Sequence, residues 1–75
     1  MDGFALRERL LDHLLEQLRE EKFPSVTMMN RIEAELNTRE QVEEYAEMLL
    51  EKVESSRFPS ISMLDRIDRA IERLG

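Results

Sequence analysis

The chain has 75 residues, 17 acidic against 11 basic side chains, a net charge of -6 and no cysteine. A chain this short lies near the lower limit at which one apolar core outweighs chain entropy, so a single small domain is expected, with self-association as a source of further burial. The absent cysteines exclude disulfides, thiolate metal sites and a cysteine nucleophile. The acidic balance disfavours attraction to a phosphate backbone, so nucleic acid is not an expected partner.

From Phe4 to Leu18 the apolar residues Phe4, Leu6, Leu10, Leu11, Leu14, Leu15 and Leu18 recur at helical spacing and predict a first helix centred on Leu11 and Leu18. Its charged residues leave no continuous apolar segment of the kind an export signal or a membrane span needs, so a cytoplasmic location is expected. The helix is expected to stop near Lys22, because Pro24 holds the residue before it extended and cannot sit in a helix interior. Phe23 then reads as a hinge residue whose ring folds back on the core.

Ser25 is the preferred N-cap of the second helix, with Thr27 as its competitor. That helix is predicted to run to about Leu36 with Met28, Met29, Ile32 and Leu36 inward. Thr38 and Gln41 have capping-box spacing and open a third helix, Arg39 to about Ser55. Its inward stripe reads Val42, Tyr45, Ala46, Leu49, Leu50 and Val53. Ser60 or Ser62 caps the fourth, which carries Met63, Leu64, Ile67, Ala70, Ile71 and Leu74 inward before Gly75.

The stretch Phe23-Pro24-Ser25-Val26-Thr27-Met28-Met29-Asn30-Arg31-Ile32 returns 35 residues later as Phe58-Pro59-Ser60-Ile61-Ser62-Met63-Leu64-Asp65-Arg66-Ile67. Leu14, Leu15, Glu16, Phe23, Pro24, Ser25, Met28, Arg31 and Ile32 are identical to their counterparts. The chain therefore reads as all-α, two tandem helix-turn-helix hairpins at about residues 1–37 and 38–75, packed as a small four-helix bundle. The period matches helical-hairpin solenoids in length only. The small residues that let solenoid helices approach closely are missing, and two repeats are few for an open array.

No catalytic constellation emerges. His13 is the sole histidine and lies off the apolar stripe, so it is expected to be solvated. His13 and Glu16 could touch one metal, but the di-iron bundle motif needs a second histidine that does not exist. No metal, no cofactor and no enzymatic activity are expected.

The candidate partner-binding residues are Glu40, Glu43, Glu44, Glu47 and Glu51 on the acidic exterior of the third helix, with Met48 on its far side and the duplicated Arg31 and Arg66. The glutamates suit a basic partner surface, or else form a solvated face. The two arginines read as core-edge residues that reach the corner, with a symmetric pair of anion anchors as the alternative. Met48 is expected to be exposed and, with Val26 and Ile61, to mark an apolar surface for a second molecule, including a second copy of the chain. The function expected is a non-enzymatic protein interaction module of accessory or regulatory type. The alternative is an acidic inhibitor, of the antitoxin or immunity type, that covers a basic enzyme or a nucleic-acid-binding protein.

Overall fold

Residues 2–75 are described in a computed structural model, and their regular structure is entirely helical: α1 (Gly3–Glu20), α2 (Val26–Glu35), α3 (Arg39–Glu54) and α4 (Ile61–Leu74). The all-α expectation holds. The chain divides into two compact units, Met1–Leu36 and Asn37–Gly75. Each unit is one helical hairpin.

Local chemistry sets the helix boundaries. Asp2 caps α1 by accepting from the Phe4 N–H at 3.1 Å, a cap that the apolar pattern alone did not single out. Ser25 accepts from the Met28 N–H at 3.1 Å, and Ser60 from the Met63 N–H at 3.4 Å, so the serine beside proline is the cap at both corners. Thr38 and Gln41 form the expected capping box. The Gln41 N–H donates to Thr38 Oγ1 at 3.2 Å, and Gln41 Oε1 accepts from the Thr38 N–H at 3.0 Å. Gly75 closes α4 with a φ of 77°, the left-handed geometry that glycine adopts without a Cβ penalty.

In the first hairpin α1 packs on α2. Leu11, Leu15 and Leu18 are buried on α1, Met29 and Ile32 on α2, and Leu36 at its end. Arg7 near the start of α1 donates to both carboxylate oxygens of Glu35 at the end of α2, each at 3.1 Å, so the two helices run antiparallel. Phe4 and Leu6, read as part of the inward stripe, are exposed. They occupy the first turns of α1, and the buried residues of that helix begin only at Leu11.

In the second hairpin α3 packs on α4 more extensively. Val42, Tyr45, Ala46, Met48 and Leu49 are buried on α3, and Met63, Arg66, Ile67 and Ala70 on α4. Arg39 at the start of α3 donates to the carbonyl of Leu74 at the end of α4, which again fixes an antiparallel pair. Three expected core residues, Leu50, Leu64 and Ile71, are instead exposed.

The two corner phenylalanines also depart from expectation. Phe23 is 71% exposed and Phe58 85% exposed, so neither ring folds back to seal a joint. The half-buried Pro24 and Pro59 take the inward position at each corner. Lys22 Nζ sits 5.8 Å from the centroid of the Phe23 ring, a cation–π contact worth about 0.5–1 kcal/mol at such a site.

Candidate functional site

The residues proposed from the sequence fall into three groups. The five glutamates Glu40, Glu43, Glu44, Glu47 and Glu51 are all exposed. Placed on a wheel at about 100° per residue, they occupy the side of α3 opposite its buried arc. Glu40, Glu43, Glu44 and Glu47 line an open surface depression of about 250 Å³. Negative charge at Glu40 also suits the N-terminal end of the helix dipole. Among the described residues no group of three or more histidine, aspartate or glutamate side chains is placed to hold a metal ion.

Met48 requires a correction. It is 6% exposed and belongs to the core. The sequence reading centred the inward stripe between Val42 and Val53, with Leu50 at one edge. The observed arc runs from Met48 through Tyr45 and Leu49 to Ala46, rotated by about 50° away from Leu50. A wide apolar stripe leaves its own rotation open by this much, so Met48 and Leu50 exchange roles.

The arginines do not form a symmetric pair. Arg31 is exposed, whereas Arg66 is 6% exposed and its Nε donates to Ser62 Oγ, one turn earlier on the same helix, at 3.2 Å. A guanidinium held within the structure is not presented to a partner. The reading of matched anion anchors therefore fails at Arg66. Its aliphatic stem buries apolar atoms among Met63, Ile67 and Ala70 of the same helix face, the packing role an arginine at a core edge performs. His13 lies exposed on α1, as its position off the stripe implied.

What sequence reasoning missed is the exposure of the two corner phenylalanines and of Leu50, Leu64 and Ile71. Phe23 and Val26 are exposed at the first corner, and Phe58 and Ile61 at the second. Leu50, Leu64 and Ile71 add three more on the second hairpin. Exposure at Val26 and Ile61 agrees with the expectation that these helix starts mark an apolar surface.

None of the helices among the described residues is long and apolar enough to cross a membrane. No protein-family model matches the chain, and neither does any curated protein or solved structure.

Proposed function

We propose that this chain is a non-enzymatic protein interaction module, a small accessory or regulatory protein of the cytoplasm, that engages another protein through apolar side chains displayed at its helical corners. The observation that carries this reading is the exposure of Phe23 and Phe58 in two copies of one corner. Ser25 and Ser60 cap the helix that leaves each corner through the same hydrogen bond, in which the methionine N–H three residues on donates to Ser Oγ. Each ring therefore sits on a defined turn, where it adds a large contact area at low conformational cost. A ring with so little burial contributes little to folding, so its presence in both copies has a different physical use.

The test is capture of partners from native extract by the wild type and by a variant carrying Phe23→Ser and Phe58→Ser. The expected result is a partner retained by the wild type and lost by the variant, with helical content unchanged. A partner retained equally by both overturns the reading.

A second reading has its own observation, the glutamate face of α3. As an acidic inhibitor of the antitoxin or immunity type, the chain would lay Glu43, Glu47 and Glu51 on a basic enzyme or nucleic-acid-binding protein. That complex weakens steeply with salt, and charge reversal at these positions slows its association. Salt-insensitive binding rules it out.

A further inference from the structure

The second hairpin presents apolar residues on two sides. One side, with Tyr45, Met48, Leu49 and Ala70, is buried. The other begins at Leu50 on α3, 43% exposed, and continues on α4 with Leu64 and with Ile71, 57% exposed. In an antiparallel pair, positions displaced in the same rotational sense from the inward line fall on the same side of the hairpin. Leu50 on α3 and Leu64 and Ile71 on α4 are displaced in that common sense. Counting equally from the Arg39–Leu74 bond along the two helices brings Leu50 level with Met63, one residue from Leu64.

The same side of the first hairpin is buried: Leu15, Met29 and Leu36 stand where the second has Leu50, Leu64 and Ile71. A side built with core residues in both copies is thus covered in one and bare in the other. Single exposed apolar residues are ordinary, but a strip shared by two packed helices is the feature that marks docking.

The rim identifies the occupant. On α3 the wheel positions beyond Leu50 include Glu43 and Glu47, and on α4 Asp68 lies next beyond Leu64. All three carboxylates are exposed. A second copy laid on this strip through the same side would bring like charges together along both edges, a cost that opposes a symmetric dimer here.

We propose that the open side of the second hairpin binds an amphipathic helix of another protein whose apolar stripe is bordered by lysine and arginine. The stripe fills the groove between α3 and α4 over Leu50, Leu64 and Ile71, while the flanking cations meet Glu43, Glu47 and Asp68. This rests on the interaction-module reading and adds to it the place and chemistry of the contact.

The probe is a synthetic helical peptide with a leucine stripe flanked by lysine, compared with one of the same stripe flanked by glutamate, each titrated into the full chain. The lysine-flanked peptide should bind and the glutamate-flanked one should not. Leu64→Ser with Ile71→Ser, which leaves every charge in place, should weaken binding about tenfold or more, the size of effect expected at central contacts. Phe4→Ser with Leu6→Ser on the first hairpin should leave it unchanged. Methyl chemical-shift changes on the wild type, which need no variant to fold, should centre on Leu50, Leu64 and Ile71. The proposal is overturned by undiminished affinity in the Leu64→Ser, Ile71→Ser variant, since charge alone would then suffice, or by equal binding of the glutamate-flanked peptide. A thermal midpoint that rises with protein concentration and ceases to do so in Ile71→Ser assigns the strip to a second copy and also overturns it. A native partner held equally by wild type and Ile71→Ser removes this side from the interaction while the module itself stands.

Discussion

The two hairpins carry closely similar sequences and bury different sides. Leu15, Met29 and Leu36 are core residues of the first, while their counterparts Leu50, Leu64 and Ile71 are exposed in the second. The reverse holds on the other side. Leu14 is half-buried where Leu49 is fully buried, and Arg31 is exposed where Arg66 is enclosed. Relative to the first hairpin, both helices of the second turn a different face inward, by about a quarter turn. A handful of substitutions accounts for the direction of that change. His13 and Glu35 of the first hairpin correspond to Met48 and Ala70 of the second, and Arg7 corresponds to Val42. The ion pair between Arg7 and Glu35 therefore has an apolar pair at the matching positions, both buried. Replacing a charged side with methionine, alanine and valine removes the desolvation cost of burying it. The second hairpin can bury that side, and it retains a second apolar side that the first has no surplus of.

The largest test of this contrast truncates matched leucines. Leu15→Ala in the first hairpin should destabilise the chain by about 2–5 kcal/mol, the range for a buried leucine. Leu50→Ala, the same chemical change at the matching position, should cost less than about 1 kcal/mol because much of its surface is already in water. Urea unfolding of the two variants measures the difference directly. Equal losses would mean that the two hairpins bury the same side.

Much of the fold was legible because its determinants are local. Proline, the corner serines and the Thr38–Gln41 pair act through backbone groups within four residues, and all of them set the boundaries their spacing implied. The inward side of each helix was legible only to within its apolar width. On α3 and α4 that width exceeds what one neighbour covers, and rotation within it depends on contacts distant in sequence. Met48 and Leu50 were exchanged for this reason. The glutamates of α3 were easier to place, since on the wheel they centre opposite its apolar stripe and a rotation of about 50° leaves them outside the core.

Arg31 and Arg66 provide the intermediate test. Both are arginine at the same place in the repeat, so any difference between their substitutions reports environment alone. Arg66→Ala should cost about 1–3 kcal/mol, as the enclosed stem is lost and the bond from its Nε to Ser62 Oγ with it. Arg31→Ala should fall within about 0.5 kcal/mol of the wild type, the usual range for an exposed position. Arg66→Lys distinguishes stem from head group: it keeps most of the aliphatic packing and replaces the planar donor with a point charge. Recovery of more than half the loss would assign the effect to packing.

The smallest expected effect on stability belongs to the corner phenylalanines, and it is the one with the most to say about function. Had the rings been buried, truncation to alanine would cost about 3–5 kcal/mol. At 85% exposure Phe58→Ala should change the unfolding free energy by less than about 0.5 kcal/mol, and at 71% exposure Phe23→Ala by no more than about 1 kcal/mol. The pair also separates the hairpins, because Phe23 has the Lys22 ammonium over its ring and should lose slightly more than Phe58. If stability is unchanged while a native partner is lost, the rings act at the surface in both copies. Loss of the partner with Phe58→Ala alone would assign recognition to the second corner, which belongs to the hairpin that carries the exposed Leu50, Leu64 and Ile71, and the first corner would then be a copy without that surface on its hairpin.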